Sequence, residues 1–104
     1  MSVYLQATIE VRMPKMGCFF AAMEKIVAIM KEAGWTLRGA YLHQTGRINT
    51  VVNIWELPDA NALAGGFRTL LGHSGFSDVD KLLEDTVVSE TLVLLNAAPY
   101  FSAA

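Results

Sequence analysis

The sequence predicts a single α+β domain with elements in the order β-α-β-β-α-β, a four-stranded antiparallel sheet and helices on one sheet face. Three observations carry this. Residues 3–13 alternate apolar and polar side chains, residues 18–33 switch to three- and four-residue spacing, and residues 35–57 form two β-rich runs around a glycine turn. A second helical stretch and a last Val-, Leu- and Thr-rich run complete the order.

In the first strand Val3, Leu5, Ala7, Ile9, Val11 and Met13 share one face, and Tyr4, Gln6, Thr8, Glu10 and Arg12 share the other. Period two over this length is the signature of a half-buried strand. Pro14 and Gly17 punctuate its end. In the helix, Phe19, Met23, Ile26, Ile29 or Met30, and Ala33 form the apolar face, with Glu24, Lys25, Lys31 and Glu32 on the wet side. Gly34 is placed to end it in the left-handed conformation.

Strands over 35–44 and 47–57 flank a Thr45-Gly46 turn, which sets His43 opposite Ile48. That register puts Trp35, Leu37, Gly39, Tyr41 and His43 on one face. Arg38 and Asn53 then pair across the hairpin on the other face, beside Trp55, so the two tryptophans oppose each other. Arg38 needs a partner if buried, and Glu10 or Glu90 is expected to supply it. Asp59 is the expected N-cap of the next helix, carrying Leu63, Phe67, Leu70 and Leu71. Gly65-Gly66 weakens that helix, and Gly72-His73-Ser74-Gly75 breaks it. A short helix from about Ser77 and a strand over 86–95 follow, then a tail with Pro99, Tyr100 and Phe101. This order is the ferredoxin-like split βαβ arrangement.

Composition adds a partner. The 104 residues are 53% hydrophobic and 17% charged, against a charged fraction of roughly 25% in an average globular protein. A chain this short holds one core, spanning residues 1–104, and folding alone does not cover that much apolar surface. The surplus is expected at a homodimer interface, on the sheet face that the helices leave open. No apolar run approaches the ~20 residues of a membrane span, and no signal peptide is visible at the N-terminus. The net charge of −2 argues against nucleic-acid binding. The single Cys18 excludes an intrachain disulfide, fits a cytoplasmic location, and reads as a small buried hydrophobe. His43, His73 and Cys18 lack metal-ligand spacing, and no cofactor motif is present, although a haem held by one histidine stays open.

The hairpin segment Gly46-Arg47-Ile48-Asn49-Thr50-Val51-Val52-Asn53-Ile54-Trp55-Glu56-Leu57 resembles the Gly-x-x-Asn-x-x-x-x-x-Trp hairpin of NIPSNAP-type proteins. Gly39-Ala40-Tyr41 and Pro99-Tyr100-Phe101-Ser102 are similar to that family's second strand and tail. Gln6 and Thr8 stand where the family usually carries an arginine and a tyrosine. The resemblance implies a dimeric α/β barrel. The wider barrel group includes cofactor-free monooxygenases, cyclases and isomerases of aromatic or polyketide metabolism, and haem-degrading enzymes.

Two functions compete. One is the binding of a small apolar or aromatic molecule in a cleft between sheet and helices, lined by Met13, Met16, Met23, Met30, Phe19, Phe20 and Phe67. The other is cofactor-free catalysis on an aromatic or polyketide-like substrate. His43 or His73 would then be the acid/base, with Tyr41, Trp55, Arg38 and Asn53 positioning the ligand. A purely structural dimerising module is the third possibility. Two or more of His43, Tyr41, His73 and Arg38 converging on one enclosed pocket would favour the enzyme; an apolar pocket without them would favour binding.

Overall fold

A computed structural model describes residues 2–101, so Ser102 of the tail segment lies outside the described residues. β1 is Val3–Val11. Its alternation becomes burial directly: Leu5, Ala7, Ile9 and Val11 are buried, and Tyr4, Gln6, Thr8 and Glu10 are half-buried. Met13 departs from the expected row. It opens a 3-10 turn over Met13–Lys15 and is exposed, because Pro14 offers no N–H to continue a strand ladder.

α1, Met16–Glu32, starts two residues earlier than its spacing suggests. Its end is a Schellman motif. The Trp35 N–H donates to the Met30 carbonyl (3.0 Å), the Gly34 N–H donates to the Lys31 carbonyl (3.1 Å), and Gly34 takes φ +90°. This reversal delivers Trp35 straight back onto the helix that precedes it.

β2 (Thr36–Leu42) and β3 (Thr50–Leu57) pair antiparallel, but the turn is wider than Thr45-Gly46. His43 donates its N–H to the Thr50 carbonyl (2.9 Å), and Tyr41 lies opposite Val52. Residues 47–49 are held by β1 instead of β2. Asn49 exchanges backbone and side-chain hydrogen bonds with Val11 (2.9 and 2.8 Å), and Arg47 pairs with Glu10 at 2.6 Å. The register therefore slips by two from the expected one, which leaves the near-turn faces unchanged.

A bulge changes the faces farther along. Leu37 lies opposite Trp55 and Gly39 opposite Ile54, so Arg38 is an extra residue without a cross-strand partner. This corrects three expectations. Trp35 and Trp55 share the helix-side face, Leu37 joins them there, and Arg38 does not pair with Asn53. The guanidinium Nε of Arg38 donates instead to Glu56 Oε1 (2.7 Å), and the expected alternative Glu10 is taken by Arg47.

α2, Ala62–Gly72, has Asn61 and not Asp59 at its N-cap, although Asp59 Oδ1 accepts the Ala62 N–H at 3.0 Å from the turn before it. α3, Phe76–Thr86, has Gly75 and not Ser77 at its N-cap. β4, Val87–Leu95, is bulged at Val88 where it pairs with the end of β1. The sheet order is β2-β3-β1-β4 with every neighbouring pair antiparallel, as the split βαβ arrangement requires. The molecule is 18 Å deep along its shortest axis. That is one sheet plus one helix layer, since packed layers lie about 10 Å apart. The core is the seam between them: Ala22, Ile26, Ile29 and Met30 of α1 against Leu5, Trp55 and Leu57 of the sheet with Val79 of α3, and Phe19 against Ala7, Ile9, Val11 and Val51. Among the described residues, no helix is long and apolar enough to cross a membrane.

Candidate functional site

Between the sheet and the helices lies a cavity of about 390 Å³. The elements that build it follow from their periods. α1 sends in Phe19, Met23, Ile26 and Met30 from one face, and β1 provides the floor with Leu5, Ala7 and Ile9. β3 adds Asn53 and Trp55, and α2 closes the side with Phe67 and Leu70. Leu83 and Glu84 of α3, with Val87, Glu90 and Leu92, complete it.

The aromatic end is tightly specified. Trp35 meets Trp55 and Phe67 edge to face, each at a ring-centroid separation of 5.6 Å. This geometry sets the electropositive ring edge against a neighbour's electron-rich face. The indole Nε1–H donates to the Ala62 carbonyl (2.9 Å), which satisfies its polar atom and fixes the ring over α2. Gly66 is buried at that contact, where a Cβ would run into the Trp35 indole. The sequence marks this glycine as a helix weakness; the structure gives it a packing role.

The polar members are few. Asn53 is 3% exposed and turns its amide side chain to the cavity wall. Glu90 stands on β4 directly across from Ile9 of β1. One side of it remains solvent-exposed, but the apolar wall desolvates the carboxylate and raises its pKa. No lysine, arginine or histidine is among the residues lining this cavity.

The six candidate residues therefore separate. Trp55 and Asn53 line the cavity. Tyr41 is exposed on the opposite sheet face, on the same side as Ile54 and Val52, and His43 follows it at strand spacing. Arg38 lies on that outer face beside a second hollow, with Tyr4, Ile54, Glu56, Leu95 and Tyr100. There Glu56 accepts hydrogen bonds from Ser2 (2.7 Å) and Arg38, and these two contacts hold its carboxyl below the usual range. His73 ties the turn between α2 and α3 to α1. Its Nδ1 accepts the Gly75 N–H (2.9 Å), so the ring N–H at Nε2 donates to Glu32 (2.9 Å).

Met23, Met30, Phe19 and Phe67 line the cavity as expected. Met13, Met16 and Phe20 do not, and Met13 and Phe20 are more than two-fifths exposed. Cys18 is exposed on the first turn of α1, which corrects its reading as a buried hydrophobe. Among the described residues, no group of His, Cys, Asp and Glu could hold a metal ion. Glu84 and Glu90 are the site residues that sequence reasoning missed. β4 is apolar on both faces, so its period does not say which face turns inward.

No family model and no curated protein matches the sequence. Solved structures match it well. A NIPSNAP family protein from Agrobacterium tumefaciens superposes with TM-score 0.88 at 14% identity over the whole of both chains. A NIPSNAP-like domain protein from Burkholderia xenovorans gives 0.82 at 19% identity, covering 97% of this chain and 89% of its own. A candidate antibiotic biosynthesis monooxygenase from Caulobacter crescentus gives 0.74 at 17% identity, covering 93% and 90%. These likenesses, with the strand order, identify the fold as that of the NIPSNAP proteins.

Proposed function

We propose that this protein is a NIPSNAP-like homodimer that binds a small apolar or aromatic molecule in the cavity between its sheet and helices. The observation that carries the reading is the cavity's lining. Aromatic and thioether side chains form its walls, and His43, Tyr41, His73 and Arg38 are all absent from them. A space of this size suits a drug-sized ligand, and apolar walls with a few polar groups are the usual composition of a binding site. Two carboxylates and an amide without a nucleophile or an imidazole give binding a better basis than turnover. The exposed, unpaired Cys18 fits a reducing compartment, and a cytoplasmic location belongs to the same proposal.

Trp35 and Trp55 make the cavity self-reporting. Titration with naphthalene derivatives should change tryptophan emission saturably, with the stoichiometry checked by calorimetry. Ala7→Met, which puts a longer side chain into the cavity, should weaken binding about tenfold or more. The absence of saturable binding by calorimetry would overturn the proposal and leave the structural dimerising module.

A second reading is a cofactor-free monooxygenase, cyclase or isomerase acting on an aromatic or polyketide-like substrate. It is favoured by the likeness to the Caulobacter crescentus protein. Oxygen uptake or product formation with polyphenolic substrates, lost in Asn53→Ala, would establish it.

A further inference from the structure

Resting on the cavity reading above, we infer that the ligand is an apolar amine bound as its ammonium, and that the cavity rejects aromatic carboxylates. The cavity has two chemically different ends. From Leu5 to Ile9 its floor runs four residues along β1, about 13 Å at strand rise. The Leu5 end is aromatic: Trp55 lies opposite Leu5 in the ladder and holds Trp35 against it. The Ile9 end is acidic: Glu90 lies opposite Ile9, and Glu84 joins it from the last turn of α3.

Neither carboxylate has a cationic partner among the described residues. The two cations near this end of α3 are already engaged at Asp85. Lys15 pairs with its carboxylate at 3.0 Å, and Arg12 donates to its carbonyl at 3.1 Å. An anion entering the cavity therefore meets two like charges and no counter-charge. An ammonium gains charge-assisted hydrogen bonds, which are shorter and stronger than neutral ones. Its apolar body reaches the tryptophan end, with the Asn53 amide available midway.

One carboxylate alone has another explanation. β4 is an edge strand, and an inward-pointing charge is a known defence of an edge against unwanted pairing. That accounts for Glu90. It does not account for Glu84, an exposed residue that comes from a helix and lines the same cavity.

The test compares three probes that share one ring system: 1-naphthylmethylamine, 1-naphthalenemethanol and 1-naphthoate. Each is titrated into the full chain by calorimetry at neutral pH and low salt. The amine should bind about tenfold more tightly than the alcohol, and the naphthoate should not bind. In the Glu84→Gln, Glu90→Gln double variant the tenfold preference for the amine over the alcohol should be lost. Glu90→Lys should admit the naphthoate, a gain that a purely edge-protecting glutamate would not yield. If the alcohol binds and the amine is no better, or the double variant keeps the preference, the inference fails while the cavity reading stands. If none of the three binds, the cavity reading falls and takes the inference with it.

Discussion

At the scale of single residues, Gly66 and Glu90 show local cost and local purpose pulling apart. A glycine inside a helix costs about 1 kcal/mol relative to alanine, so propensity alone says that Gly66→Ala should stabilise α2. The Trp35 ring stands where the new methyl would go, and its hydrogen bond to Ala62 keeps it from retreating. Gly66→Ala should therefore destabilise the protein, by about 1–3 kcal/mol as for other overpacked cores. Gly65 meets nothing at the same test, so Gly65→Ala is the control and should raise the thermal midpoint. Glu90 is the converse case. Burial raises its folded-state pKa above the ordinary carboxylate value, so the unfolded chain loses this proton first as pH rises. Ionisation then opposes folding from the ordinary carboxylate range upward. Glu90→Gln should accordingly be more stable than the parent at pH 7, and the difference should shrink toward pH 4, as read from denaturant unfolding at both values.

At the scale of elements, the hairpin shows what was legible in the sequence and what was not. β1 could be read residue by residue, because one of its faces is buried and the other is not. The helix-starting role of Asp59, whose carboxylate accepts the first helical N–H, and the left-handed Gly34 were legible because both have local chemical causes. The bulge at Arg38 was not. Nothing in Leu37-Arg38-Gly39 announces an extra residue, yet it reverses every side chain before it and brings Trp35 to Trp55. The wider turn escaped for a related reason, since Asn49 and Arg47 bond to β1, a strand distant in sequence. Removing the bulge is thus a stronger perturbation than removing its charge. Deletion of Arg38 should turn Trp35 away from the core and cost about 3 kcal/mol or more, as for loss of a buried aromatic. Arg38→Ala gives up only a solvent-exposed ion pair and should leave the unfolding midpoint nearly unchanged.

At the scale of the whole molecule, the apolar surplus now has a position. The helices cover one sheet face only. On the other, Tyr41, Val93 and Leu95 lie open beside the half-buried Tyr4, Val52 and Ile54. A stable interface needs about 800 Å² per partner, and a four-stranded face offers that scale of surface. The proposed homodimer would use it. Sedimentation equilibrium at micromolar concentration should give twice the chain mass, and Val93→Lys, which places a charge on the proposed contact face, should give the single-chain mass. A monomeric parent protein would remove the dimer from the proposal.

The hollow between the layers also carries a mechanical consequence. A folded chain with an apolar hollow between its layers packs less tightly there than a solid core, and unfolding removes that loosely packed volume. Such a protein yields to hydrostatic pressure. A molecule seated against Trp35 and Trp55 would fill the hollow, shrink the volume change, and make the occupied protein the stiffer one under compression.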